Sequence, residues 1–337
     1  MDFTYKFYAI EGVQAKKKFY IAMVPLNLIA KLLVTETENV LPEFRAQRKI
    51  NELRIPEIKN YILSNRDNYV FSALAASIDG NFDFTVLSGK AGILEIDMSA
   101  TLLLNDGQHR KAAIIEALNE DPSLGEETIS VVFFEDGGLK RSQQMFTDLN
   151  KHAVKTSNSI STLYDSRDDI AVMTKKLIES NEFLNRYTDK ERDILGKNSS
   201  KLFTLTTIYK ANKKILKGNS LNDDSFIFLN KYWNTVIKYI DEWNELLHKE
   251  ITKKDLKENY IITLAVVIIG IGKLGNIFYL NNSLDMDLYL KNLRNVDWSR
   301  NAQCWMGNVL RENGKVNNSE NTSNEICDVI AKIIGLY

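Results

Sequence analysis

The chain has 337 residues, 44% of them hydrophobic and 26% charged, with only four prolines, a composition that excludes extended disorder and fibrous repeats. Its 43 Lys and Arg balance 44 Asp and Glu, so it is not a simple cationic coat for nucleic acid, and any such contact must come from local basic clusters. Two cysteines, Cys304 and Cys327, are too few for a disulfide framework and too far apart for a zinc site, which suits a reducing cytoplasm and indicates no metal.

At this length two structural parts are expected. The first residues, MDFTYKFYAIEG, lack a basic region leading into an apolar stretch and do not read as a secretion signal. Residues 3–10 and 18–24 have the composition of strands around a turn at Gly12, and Leu26, Ile29, Ala30 and Leu33 recur at helical spacing across residues 25–36. Arg48, Lys49 and Arg54 then cluster just ahead of a helix marked by Ile58, Tyr61 and Ile62, with Pro56 suited to its first turn. Residues 70–77, 93–97 and 101–104 read as strands, with turns at Asp79-Gly80 and Ser88-Gly89. Asn105-Asp106-Gly107 breaks the run, and a helix over residues 108–119, a strand over 129–134 and a helix over 141–149 follow. This order makes residues 1–165 an α/β domain.

From Asp168 onward the apolar spacing is almost all helical, at residues 172–178, 203–215, 226–247 and 259–271, so residues 166–337 are expected to form an all-α domain. The most apolar segment, residues 261–272, lies between Glu258 and Lys273 and falls short of the roughly 18 apolar residues needed to span a bilayer. It reads as a buried helix, and no membrane partner is expected. Residues 317–324, rich in Asn and Ser, read as a mobile loop.

The chemistry concentrates in Asp106-Gly107-Gln108-His109-Arg110. A helix that starts directly after a strand directs free N–H groups and its positive dipole end at the strand's carboxyl edge, a setting for an anion. Asp106 is expected to cap that helix by accepting the N–H of residue 109, and Gly107 to let the backbone approach a ligand. Arg110 would add a permanently charged, planar donor for phosphate, and His109 a hydrogen bond to phosphate or water. The alternative is that Asp106 only caps the helix and Arg110 pairs with a carboxylate; residue types alone do not choose between them.

Asp106 to Arg110, followed by Ala112-Ala113, resembles the DGQHR motif that names a group of bacterial proteins, among them the DNA-sulfur modification family DndB. Gln47-Arg48 with Arg54, Phe146-Thr147-Asp148-Leu149-Asn150 and Asp297-Trp298-Ser299-Arg300 resemble other landmarks of that group, so the resemblance runs over most of the chain. The turn is also similar to the arginine box of ParB-type partition proteins and to the Gly-Cys-His-Arg box of sulfiredoxins, which share a fold that holds nucleotide phosphates there. The resemblance therefore implies a ParB/sulfiredoxin-like α/β domain and a phosphate or nucleotide site. Gln108 stands where sulfiredoxin needs its catalytic cysteine, which excludes that chemistry because an amide is no thiolate nucleophile. Asp148-Leu149-Asn150 resembles the segment closing the ParB nucleotide pocket, and with Lys151 and Lys155 it would clasp a phosphate, unless Ser157 or Ser159 simply caps the next helix.

Lys16-Lys17-Lys18, Lys175-Lys176 and above all Lys210, Lys213, Lys214 and Lys217 at helical spacing form the other basic clusters. The last set, with Arg48, Lys49 and Arg54, is the candidate DNA-phosphate surface. Trp298 and Trp305 either stack on a base or pack the second domain. The resemblance implies a cytoplasmic, DNA-binding regulator of a DNA phosphorothioate modification system, acting on double-stranded DNA with other DNA-modification proteins or as a homo-oligomer. The competing readings are an NTPase or nuclease that uses His109 and Arg110 on a nucleoside triphosphate with Mg²⁺, and a non-catalytic scaffold.

Overall fold

Two consecutive residues with positive φ, Ala15 (50°) and Lys16 (64°), reverse the chain between β1 (Thr4–Gln14) and β2 (Lys17–Pro25). Two such residues form the tight turn whose twist matches paired strands. Gly12, expected to be the turn, instead lies inside β1 opposite Phe19, whose ring occupies the space where a Cβ would stand.

The computed structural model describes residues 3–34, 50–151, 156–307, 309–310, 316 and 318–337, apart from the side chains of Leu139, Phe146, Asn150 and Lys151. The chain divides into two units, Met1–Val154 and Lys155–Tyr337.

In the first unit, α1 (Leu26–Leu32), β3 (Leu33–Val34) and α2 (Ile55–Ser64, with Pro56 in its first turn) precede β4 (Leu74–Asp79), β5 (Phe82–Ser88), β6 (Ala91–Asp97) and β7 (Thr101–Asp106). Then come α3 (Gln108–Glu120), β8 (Thr128–Glu135) and α4 (Leu139–Lys151). The strands form one mixed eight-stranded sheet in the order β3-β7-β4-β8-β2-β1-β6-β5. Only β3 with β7 and β4 with β8 run parallel. β4 is buried from Leu74 through Ile78 because it lies between β7 and β8, whereas β8 and β6 alternate buried and half-buried residues. Leu74, Ala76, Leu104, Val131 and Phe133 form the fully buried centre of this core, to which α1 adds Ile29 and α3 adds Ile114 and Ala117.

The second unit comprises α5 (Asn158–Tyr164), α6 (Asp169–Ser180), α7 (Glu182–Tyr187), α8 (Leu205–Ile215), α9 (Asp223–Tyr239), α10 (Asp241–Leu247), α11 (Lys253–Asn259), α12 (Ala265–Leu280), α13 (Met286–Leu290) and α14 (Glu320–Ile334). Two short parallel strands, β9 (Thr188–Asp189) and β10 (Phe203–Thr204), qualify the all-helical expectation. α12 is buried through Val266, Val267, Ile268, Ile271 and Leu274. It meets α8 backbone to backbone, since a Cβ on Gly272 would stand 2.7 Å from the Ala211 carbonyl oxygen.

Three expectations are corrected here. The helix expected over residues 226–247 breaks at the fully buried Ile240, whose extended φ of −96° and ψ of 102° end α9. The one expected from 259 begins at Ala265, because Tyr260 pairs with Ser299 and the Ile261 N–H donates to the Trp298 carbonyl. The expected loop over 317–324 is mostly helix: the Ser319 hydroxyl accepts the Thr322 N–H and starts α14, while Asn317 lies outside the described residues.

Candidate functional site

The turn after β7 forms as the sequence leads one to expect, but its residues are used differently. Gly107, with φ of 102°, is itself the N-cap of α3 and supplies no side-chain acceptor. Its missing Cβ is required by Leu74, which fills the space where that atom would stand. The glycine thus admits a core side chain. The Asp106 carboxylate does not cap the helix; it takes the Arg110 guanidinium at 2.6 Å.

Arg110 is more fully engaged still. Its Nη1 donates to the Ser72 carbonyl (2.5 Å), the Ser72 hydroxyl (2.7 Å) and the Ala73 carbonyl (2.9 Å), and its side chain is 17% exposed. The arginine therefore fastens the start of α3 to the segment entering β4. Its planar fork is used here on backbone oxygens and on the Asp106 carboxylate, the carboxylate pairing that the alternative reading of the sequence named. The Asn51 N–H donates to Nε2 of His109 at 3.0 Å, which ties the turn to the short 3-10 segment Glu52–Arg54 and requires the neutral imidazole on that nitrogen. Arg54 stands exposed on that segment, so the structure brings it into the neighbourhood of the turn. Arg48, Lys49 and Lys155 lie outside the described residues.

Around the turn lie three buried polar side chains whose burial residue types did not disclose. Asn105, fully buried, donates to the Ser77 hydroxyl at 2.6 Å and to the Met145 sulfur at 3.4 Å, while its Oδ1 finds no partner. Gln108 is 5% exposed, and its Nε2 is likewise unsatisfied. Lys111, one residue past the motif, is buried and donates to the Leu33 carbonyl at 2.5 Å, and burial lowers its pKa from the ordinary lysine value. Asn150 and Lys151 end α4. Ser157 caps α5 by accepting the Ile160 N–H, and the Ser159 hydroxyl meets Arg192 and Asp193. Ser157 is therefore the helix cap of the alternative reading, whereas Ser159 is buried inside α5 and caps nothing.

In the second unit, Lys210, Lys213, Lys214 and Lys217 all line one cavity of about 950 Å³. Spacings of three and four place Lys210, Lys213 and Lys214 on one face of the last turns of α8, and Lys217 follows just past the helix end at Ile215. Lys214 pairs with Glu320 at 2.7 Å, and Lys273 joins the same carboxylate at 2.8 Å. These lysines pull the Glu320 carboxyl down to about 2. Among the described residues the ammonium groups of Lys210, Lys213 and Lys217 have no partner. The Asp193 carboxylate also faces the cavity; burial opposes its charge, but the amides of Asn158 and Ser159 with their side chains outweigh that and hold its pKa below the usual range.

In the other basic clusters several lysines have partners. Lys18 pairs with Glu11, Lys175 donates to the Leu163 and Asp165 carbonyls, and Lys176 stands 4.2 Å over the Phe226 ring. Trp298 and Trp305 stack on each other with centroids 5.7 Å apart and are buried in the core, which leaves neither face for a base. Burial raises the thiol pKa of Cys304 and pushes that of Cys327 up to about 11. Among the described residues no group of three or more His, Cys, Asp or Glu could share a metal ion, and no helix is long and apolar enough to cross a membrane.

A family model described as DndB, DNA-sulfur modification-associated, matches residues 7–337. No curated protein and no solved structure matches the chain.

Proposed function

The chain belongs to the DndB family of DNA-sulfur modification-associated proteins, which gives it a role in a DNA phosphorothioate modification system, and we propose that it is a DNA-binding regulatory protein of that system and not its sulfur-transfer catalyst. Sulfur transfer through cysteine needs an accessible thiolate. The chain has two cysteines, and burial keeps both thiols protonated near neutral pH.

The observation that carries the DNA-binding reading is the lysine face of α8. Lys210 and Lys213 carry unpaired ammonium groups on one face of α8, and Lys217 carries a third just past its carboxyl end, the end of a helix that favours cations. Phosphates of a duplex would complete their coordination. The NTPase or nuclease reading is disfavoured by the use of Arg110 as a structural clasp, since a guanidinium on Asp106, Ser72 and Ala73 is not free to meet developing phosphate charge. The ParB-like turn would then serve mainly to fix β7 against α3.

Duplex binding followed by fluorescence anisotropy across a salt series tests this. Affinity should fall as salt rises, and Lys213→Glu with Lys217→Glu should flatten the slope by about two phosphate contacts. Absence of duplex binding at low salt would refute the reading and leave recruitment of partner proteins as the better account.

A further inference from the structure

The lysine face does not border a smooth groove. The same cavity is also lined by Leu216, Leu221, Val266 and Ile269, supplied by the segment that follows α8 and by α12. A duplex backbone presents only phosphates and sugars to such a surface and would leave this apolar wall without a partner. The volume of about 950 Å³ falls within the span of small-molecule sites, roughly 300 to 1,000 Å³, which combine an apolar lining with a few convergent polar groups.

Those polar groups are present. Thr206, at the first turn of α8, is 7% exposed, lines the cavity, and its hydroxyl has no hydrogen-bond partner. Four lysines face two carboxylates there, and both carboxylates are already engaged, Glu320 by Lys214 and Lys273 and Asp193 by Asn158 and Ser159. The lysines left without a carboxylate, Lys210, Lys213 and Lys217, make the remaining field positive. A ligand matching all of this carries two or more negative charges on a compact head and a flat apolar body with hydrogen-bonding edges.

We propose that this cavity binds a free nucleoside phosphate, with its phosphates on Lys210, Lys213 and Lys217 and its base on Leu221, Val266 and Ile269. Because nucleotide and duplex then need the same lysines, they exclude one another, and the nucleotide acts as an effector of DNA binding. The inference rests on the proposed use of these lysines for duplex phosphates.

Titration calorimetry on the full chain with ATP, CTP, GTP and inorganic pyrophosphate tests it, paired with duplex anisotropy in the presence of each. At least one nucleotide should bind tighter than pyrophosphate and displace the duplex. Lys213→Glu, at an exposed position, should weaken that nucleotide about tenfold or more, as loss of a charge-assisted phosphate contact does. Ala265→Trp, at an exposed cavity position on the first turn of α12, should lower the ratio of nucleotide to duplex affinity at least tenfold by filling the space for the base. Pyrophosphate binding as tightly as every nucleotide, or an unchanged ratio in a folded Ala265→Trp, would overturn the seating of the base. Duplex binding with no nucleotide binding at millimolar concentration would overturn this inference and leave the DNA-binding reading standing. Loss of both activities in the unmodified chain would overturn both.

Discussion

Replacing Arg110 by alanine separates a clasp from a ligand-binding residue. The guanidinium holds the Asp106 carboxylate, the Ser72 carbonyl and hydroxyl, and the Ala73 carbonyl, with the side chain 17% exposed. Hydrogen bonds to a charged group contribute ~1.5–3 kcal/mol in net terms, and a carbonyl left without its donor adds part of its desolvation cost. The pair with Asp106, which is 40% exposed, adds at most ~1 kcal/mol because solvent screens it. Since these terms overlap, Arg110→Ala should destabilise the first unit by about 2–4 kcal/mol. For a unit of 154 residues that corresponds to a melting point lower by roughly 5–12 °C. Arg110→Lys should recover less than half, because an ammonium group cannot span the carboxylate and two backbone oxygens in one plane. Urea denaturation supplies the magnitude, and hydrogen exchange locates it, with lost protection expected along β4, β7 and the first turn of α3. An Arg110→Ala protein that melts within about 1 °C of the original yet loses duplex binding would refute the clasp and restore Arg110 as a phosphate donor.

Gly107→Ala combines a left-handed backbone at φ 102° with a direct overlap on Leu74; it should cost about 2–4 kcal/mol in urea denaturation, and a loss below ~1 kcal/mol would contradict the packing described. Glu242 is raised to about 7, first by burial and then by Glu245, Asp241 and Asp297. A carboxyl whose pKa is higher in the folded state gives most stability below its unfolded value of 4.5, and loses it as pH climbs through 7. Glu242→Gln should therefore remove that decline and stabilise the protein at pH 8 by roughly 1–2 kcal/mol, discounted for partial exposure; an unchanged melting curve across pH would refute the burial argument. Glu320 has the opposite sign: held at about 2 by Lys214 and Lys273, it stabilises above its unfolded value of 4.5, and that contribution fades as pH falls towards 2. Glu320→Gln should lower the melting point only slightly at neutral pH, since the pair is exposed, while tightening anion binding by freeing both lysines, which calorimetry with pyrophosphate would detect.

The mixed sheet was legible where local rules and burial agree. The runs at β6, β7 and β8 alternate or run apolar as paired strands must, and Pro56 marks the first turn of α2. Strand β5 escaped because only Phe82 and Phe84 of its seven residues turn inward, too few for a period to register. The hairpin turn escaped because Ala15 and Lys16 adopt positive φ without a glycine, while the glycine nearby serves the Phe19 ring. In each case the deciding partner, a neighbouring strand or a ring across the sheet, is remote or has no local signature.

The two candidate sites divide along the same line. The motif at residues 106–110 announces itself, since a strand, a glycine with positive φ and a helix carrying Arg110 are local features. What the arginine touches is not local: Ser72 and Ala73 lie 38 and 37 residues away, and no pattern within the motif distinguishes their carbonyls from a phosphate. On α8 the spacing of Lys210, Lys213, Lys214 and Lys217 fixes a common face, but a charged helix face is ordinarily only solvated. It lines a cavity because α12 brings Val266 and Ile269 into the same lining, an approach that Gly272 permits by letting the two backbones meet at Ala211. An alanine at Gly272 would have to push α8 away from α12 or rotate it, so the geometry of the lysine cavity depends on a glycine in the core of the unit, at a position where neither charge nor periodicity points to a ligand.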